Sequence, residues 1–351
     1  MIVIVVLAVL AGGFAYSMKV ETRLARNSSF DSDMENLGRS AVERARYILA
    51  QHLRIPGEGA YTSLNQFWAS GIPSTNELLM DLYLENDELP RGHTVIQIID
   101  MERKFNLSAI RDERFSPILQ RALESMAVDP AHVTDIVDSY MDWVDPDDNK
   151  RIHGAESDFY VNLNPAAPYV AKNGLVDDIS ELLLIRGMTP EIFFGAGRSG
   201  SMPGMGAPRS APIGTLGAEG GGGSSVGLVD LFTTVSAAGM AVNVNTASSE
   251  VLQLLPGMDA TLAQSIIDTR AGPDHMDGTE DDIPFLTRTE IINAPGMTQE
   301  LMQAMTQFLV TQSGVFQIRV EASIGDYVRR YEALVQRRSA MEVTILYFRA
   351  L

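Results

Sequence analysis

The residues with the most chemical potential in this chain are carboxylates. Asp142, Asp145, Asp147, Asp148, Glu156 and Asp158 crowd into residues 142–158, with Asn149 among them and only Lys150 and Arg151 as cations. Counting Asp145 as position 1, Asp147 is position 3, Asn149 is 5 and Glu156 is 12. That is the ligand spacing of an EF-hand loop, and Arg151 would offer its carbonyl at position 7. Position 6 is Lys150 where such loops carry glycine, so the turn departs from the standard one. Packed carboxylates repel one another, and a bound cation relieves the repulsion. Hard oxygen donors without cysteine or histidine suit Ca²⁺, the expected cofactor. The alternative is a solvated acidic loop. A second cluster, Asp274, Asp277, Asp281 and Asp282, surrounds Gly278. It matches no known loop and would be either another Ca²⁺ loop or a second arm of the same site.

Other chemistries find little support. The chain has no cysteine, which removes disulfides, thiolate metal sites and cysteine nucleophiles. Its five histidines are scattered, with no HxxxH pair. There is no GKS or GKT phosphate loop, no GxSxG and no HExxH. Gly195, Gly197 and Gly200 fit GxGxxG formally, but no strand pattern precedes them and no helix pattern follows. Trp68, Trp143 and the methionines read as core. The expected protein is therefore not an enzyme. Lys plus Arg number 27 against 45 Asp plus Glu, a net charge of −18. Such a chain is repelled by phosphate backbones, so nucleic acid is not an expected partner.

The elements that position these loops begin at the amino terminus. Residues 1–18 carry no charge, and Lys19 is the first. Eighteen helical residues reach about 27 Å, close to the roughly 30 Å hydrocarbon core. A membrane helix over residues 1–26 is expected, with no cleaved Sec signal. The flanking charges Lys19, Glu21, Arg23 and Arg26 are net basic. They favour a cytoplasmic carboxyl side, so an export orientation would need a basic leader upstream. From Phe30 the apolar residues Met34, Leu37, Ala41, Ala45, Ile48, Leu49 and Leu53 recur three or four apart, continuing one long helix to before Pro56.

Residues 93–100 read as a strand. Phe316, Ile318, Val320, Ala322 and Ile324 alternate with polar residues in a second. Gly325 and Asp326 mark a turn, and residues 327–336 and 341–348 complete an antiparallel meander. The 351 residues suggest about two domains. The long stretch between the β parts reads as helical, interrupted by a Gly-rich flexible loop at 195–227.

That stretch holds an internal repeat. Ser180-Glu181 to Gly187, Ser249-Glu250 to Gly257 and Thr289-Glu290 to Gly296 each read as a short helix and a glycine hairpin. Second helices start at Pro190, Ala260 and Gln299. Asp178 with Glu181 and Thr287 with Glu290 have capping-box spacing. Hairpin units of this kind either bind DNA backbones or pack. Residues 245–271 carry Glu250, Asp259 and Asp268 against Arg270, a net −3 + 1 = −2, which favours packing.

Together these segments resemble a known family. FAYSMKVETRLARN, VIQIIDMERKFNLS at 95–108, DSYMDWVDPDDNKRIHGAESDFY at 138–160, DDISELLLIRGMTPEIF at 177–193, VNVNTASSEVLQLLPGM at 242–258 and SGVFQIRVEA at 313–322 are similar to the minor pseudopilin K family of type II secretion systems. The resemblance implies an α+β, pilin-like fold: a long amino-terminal helix on an antiparallel sheet, with a large inserted all-α domain of helix-hairpin-helix-like (SAM-like) units. The implied parts are a membrane helix (1–26), a first pilin-like part (27–105), the inserted helical domain (106–312) and the terminal β-meander (313–351). It implies a non-catalytic subunit capping the pseudopilus tip in protein export across the outer membrane. Its partners would be the I- and J-type minor pseudopilins and, for processing, a prepilin peptidase. The chain would sit in the inner membrane as a single-pass protein, its carboxyl-terminal domain in the periplasm. Family members bind Ca²⁺ in the helical domain, in keeping with the 145–156 loop. The different-class alternative is a membrane-anchored helix-hairpin-helix protein for DNA uptake.

Overall fold

The computed structural model describes residues 2–70, 77, 79, 82–89, 92–164, 166–196 and 226–351. Helix α1 runs unbroken over Ile2–His52. From Met34 its apolar residues fall on one stripe: Met34, Ala41, Val42, Ala45, Ile48 and Leu49 are all buried. It stops ahead of Pro56, whose ring disfavours helical geometry in the residue before it. A short helix α2 (Phe67–Ser70) follows, then β1 (Glu85–Leu89) and β2 (Gly92–Asp100).

The chain then leaves the sheet. It forms β3 (Phe105–Asn106), α3 (Ser116–Ser125), α4 (Pro130–Val144), α5 (Ser157–Leu163), α6 (Pro190–Phe194), α7 (Leu228–Leu231), β4 (Phe232–Thr233), β5 (Val242–Asn243), α8 (Ser249–Leu252), α9 (Ala260–Arg270), α10 (Gln299–Met305) and β6 (Leu309–Val310). It returns as β7 (Val315–Ile324), β8 (Tyr327–Ser339) and β9 (Glu342–Ala350). The sheet order is β1-β2-β7-β8-β9, antiparallel throughout. Thus β2 and β7, far apart in sequence, are neighbours, with Ile96 opposite Val320 and Ile98 opposite Ile318.

Each region has its own apolar core. One joins the buried face of α1 to Ile96, Ile98, Phe316, Ile318, Val320 and Tyr331. Gly38 is required there: a Cβ would stand 2.6 Å from the Tyr331 ring. The other gathers Phe105, Leu119, Ile136, Tyr140, Trp143, Tyr160, Leu182, Val251 and Ile266.

Three expectations need adjustment. First, the intervening region is not all-α. β3 pairs with β4 and β5 with β6, each in parallel, because single extended dipeptides tie distant loops together by backbone bonds. Second, among the described residues no helix is long and apolar enough to cross a membrane. This overturns the expected membrane helix and, with it, the single-pass inner-membrane placement with a periplasmic domain. Third, the Gly-rich loop at 195–227 lies, apart from its two ends, outside the described residues.

Candidate functional site

Helix α4 sets up the first acidic loop. Asp129 caps it by accepting from the Ala131 N–H, and Pro130 occupies the first turn, where a missing donor costs nothing. Val133, Ile136, Tyr140 and Trp143 turn inward, and Tyr140 donates to the Leu107 carbonyl at 2.7 Å. That rotation also carries Asp142, in the last turn, to full burial.

A buried carboxylate needs partners. Arg151 supplies them to Asp142. Its backbone N–H reaches both Asp142 oxygens at 3.3 and 3.2 Å, and its Nη1 donates to Oδ1 at 2.7 Å. The same Nη1 donates to Asp145, and Nη2 lies 3.7 Å from Glu113. These carboxylates hold the guanidinium firmly protonated. Gly154 completes the fit, since a Cβ there would meet Asp142 Oδ2 at 1.9 Å.

Glu156 differs from Asp142. It stands at the start of α5, only 3% exposed, and neither carboxylate oxygen has a hydrogen-bond partner. Burial, then Asp142, Asp145, Asp148 and Asp147, push its carboxyl up to about 7. Asp145 Oδ1 and Asn173 Oδ1 are likewise buried and unpaired. Four orphaned oxygens around one loop are costly unless something positive joins them. Oxygen donors are the type that a hard cation takes.

The sequence-derived ligands divide accordingly. Asp142 and Asp145 come together on Arg151, while Glu156 stays unpaired. Asp147 is exposed and accepts from the Asn149 N–H at 2.8 Å, so Asn149 enters through its backbone. Arg151 contributes a guanidinium where the EF-hand spacing wanted its carbonyl. Asp148 accepts from Asn173 Nδ2 at 2.9 Å. Asp158 is exposed, and its Oδ1 accepts from the Phe159 N–H. Among the described residues no group of three or more His, Asp or Glu is arranged to hold a metal ion.

The second acidic loop satisfies itself. Asp277 takes a bidentate pair of bonds from buried Arg270, at 2.9 and 2.6 Å. Asp281 accepts from the Asp274 N–H, Asp274 from Met276, and Asp282 from Gly278 and Thr279. Thr279 also bonds Asp281, which lies below its usual range. Burial lifts Asp282 above its usual range.

A further polar cluster, missed from sequence, joins the two cores. Asp100 at the end of β2 accepts from Asn243, Thr246 and Ser313 at 3.1, 2.6 and 2.7 Å. Asn243 also donates to the Thr62 carbonyl and to Ser313. Glu102 accepts from the Ala237, Gly314 and Val315 N–H groups. Arg337 donates to the Leu49 and Ser313 carbonyls and meets His52 Nδ1 at 3.2 Å. Burial raises Asp100, and burial with Asp100 beside it raises Glu102 to about 7. Burial, then Arg337, lowers His52 to about 3. The NVNTAS run at 243–248 is legible as a motif, but nothing local says what it would touch.

The repeats are hairpins with second helices α6, α9 and α10, starting where expected, and two first helices are 3-10 turns with formed capping boxes. Gly187, Gly257 and Gly296 have positive φ. A Cβ on Gly257 would stand 2.7 Å from Leu301, and one on Gly296 would stand 3.6 Å from Leu262. The second and third hairpins therefore pack on each other's second helices, leaving packing as the use the geometry supports.

Residues 103–194 match the family model described as type II secretion system (T2SS), protein K. Residues 238–310 match a helix-hairpin-helix motif. The chain is 32% identical over 142 residues to a putative type II secretion system protein K of Escherichia coli (strain K12), covering 38% of this chain and 39% of that protein. It is 31% identical over 111 residues to type II secretion system protein K of Klebsiella pneumoniae, covering 29% and 33%. The chain thus spans well under half the length of the curated relatives it matches. In fold it is similar to a chain from the crystal structure of the GspK-GspI-GspJ complex of the enterotoxigenic Escherichia coli type 2 secretion system, with TM-score 0.61, 18% identity and coverage of 93% and 99%. The chain resembles type II secretion system protein K in sequence and in fold.

Proposed function

We propose that this chain is a non-catalytic minor pseudopilin of the K type, with a pilin-like sheet domain and a large insertion, capping the tip of a type II secretion pseudopilus. The observation that carries the reading is the split sheet. β2 and β7 pair directly while the K-like and hairpin segments are looped out between them. The first part of α1 would pack against helices of I- and J-type partners. The bulk of the insertion would block addition of a further subunit, and the polar junction at Asp100 and Asn243 would hold it at a fixed angle. A prepilin peptidase would process the precursor.

Ca²⁺ in the first acidic loop would act as an electrostatic staple for the insertion. Asp145 and Glu156 would hold it, while Asp142 stays paired with Arg151. The second loop offers weaker support for an ion, its carboxylates being already bonded.

Co-expression with the two neighbouring minor pseudopilins tests the assignment. A stable complex on size exclusion is expected, and failure to co-purify with either would sink it. Retarded DNA in a low-salt gel shift would instead support a DNA-uptake role.

A further inference from the structure

The sheet ends on a strand whose outer edge is unprotected. Among the described residues no strand lies beyond β9. Edge strands are ordinarily kept from pairing by shortness, proline, lysine or inward charges. β9 runs nine residues, EVTILYFRA, with neither proline nor lysine, and its two charges stand near its ends. Its pairing with β8 sets which backbone groups face out. One step beyond the Tyr331–Ala350 pair, the Leu351 N–H bonds the Arg330 carbonyl at 2.9 Å, so Ala350 and Phe348 turn their backbone groups away from β8. At the other end the Arg337 N–H bonds the Gly314 carbonyl on the β7 side, so Gln336 faces β9 and Thr344, opposite it, faces β8. Val343 and Ile345 therefore face outward. Leu346 is the extra residue of a bulge between the Ile345–Val335 and Tyr347–Leu334 pairs, and it reverses the alternation midway along the strand. The outward residues are thus Val343, Ile345, Phe348 and Ala350, a spacing that reads the same from either end.

We propose that β9 pairs antiparallel with β9 of a second copy of this chain, joining two five-stranded sheets across a two-fold axis between Leu346 and Tyr347. The palindromic spacing selects this occupant. Val343 meets Ala350 and Ile345 meets Phe348, so the outward backbone groups of one copy face those of the other and the two bulges coincide. The side chains agree. Ile345 and Phe348 both pack against the α1 core, so they share a face when paired. On the opposite face Leu346 and Tyr347, both exposed, cover each other twice. Glu342 lies diagonal to Arg349 of the second copy, within reach of long side chains. Glu342 is bonded to Arg338 and Arg349 to Glu332, yet each stays half exposed, at 51% and 52%. Exposed pairs of this kind fix register more than affinity. The inference does not depend on the K-type reading.

Sedimentation velocity of the full chain tests it, in a detergent that keeps the apolar start of α1 from associating. A dimer is expected at protein concentrations up to about 0.1 mM, as suits a small interface. Nothing larger is expected, since an isologous contact closes on itself. Leu346→Lys sets like charges together at the axis and should weaken the dimer tenfold or more. Its melting curve should match the parent's, because Leu346 is exposed. The chain has no cysteine, so single cysteines report the register. Leu346→Cys should give a disulfide-linked dimer on mild oxidation. Met341→Cys should not, although Met341 is 90% exposed, because it lies roughly 35 Å from its counterpart at about 3.4 Å per residue. A monomeric parent overturns the proposal, as do a dimer untouched by Leu346→Lys, open-ended growth, or equal cross-linking of the two cysteines. Cross-linking of Leu346→Cys only to a co-expressed I- or J-type subunit gives the edge to a different occupant and also overturns it.

Discussion

The carboxylate of Asp142 fills the space that a side chain on Gly154 would need: a Cβ there would lie 1.9 Å from Asp142 Oδ2. Asp142 cannot yield, because the Arg151 N–H and guanidinium pin it and it is fully buried. Gly154→Ala is therefore expected to destabilise the chain by about 3 kcal/mol, at the upper end for overpacking. Urea unfolding of variant and parent, compared at equal m-value, measures it.

Ca²⁺ should stabilise what Arg151 alone leaves unbalanced. A ligand that binds only the folded state adds about 2.7 kcal/mol at a hundredfold excess over its Kd. EDTA is expected to lower the Tm, and added Ca²⁺ to restore it. Glu156→Ala should lose most of that response. Identical melting curves with and without chelator would leave the loop without an ion.

Acid should attack the junction through His52. Its folded pKa, about 3, lies below the ordinary 6.5. The stability tied to this difference is fully present above 6.5 and is lost as pH falls through the window down to about 3. His52→Gln keeps a hydrogen-bonding side chain for Arg337 and cannot protonate. Between pH 7 and 4 the parent is expected to lose on the order of 3 kcal/mol more than the variant. Glu102 works in the opposite direction: raised to about 7, it weakens the junction as pH rises from about 4.5 through 7. Denaturant unfolding at several pH values separates the two slopes.

Asn243 links three separate parts of the chain: the Thr62 loop, Asp100 on β2 and Ser313 ahead of β7. Asn243→Ala removes these donors and leaves the Thr62 carbonyl and part of Asp100 unsatisfied. A loss of about 3 kcal/mol is expected from unpaired buried polar groups. Thermal unfolding should also split into two transitions as the two cores uncouple. A single unshifted transition would show that the junction adds nothing.

Much of the architecture was readable because it repeats locally. The stripe from Met34 to Leu49 and the alternation from Phe316 to Ala322 announce one-sided burial at helical and strand periods. The capping boxes at Asp178 and Thr287 and the hairpin glycines announce helix starts and stops. β1 escaped because residues 85–89, ENDEL, are acidic and carry one leucine, nothing like a half-buried strand. The two parallel dipeptide pairs escaped because two residues carry no period.

By itself, then, the amino-acid sequence determined the long helix, the longer strands, the hairpin repeats and the concentration of carboxylates in two loops. These follow from periodicity, capping chemistry and composition, which act over a few residues. Only the tertiary structure decided which carboxylates are satisfied. Asp277 finds Arg270 and Asp142 finds Arg151, whereas Glu156 finds no donor and Asn173 arrives from another segment. Burial and pairing depend on contacts between residues distant along the chain, and spacing alone cannot encode them.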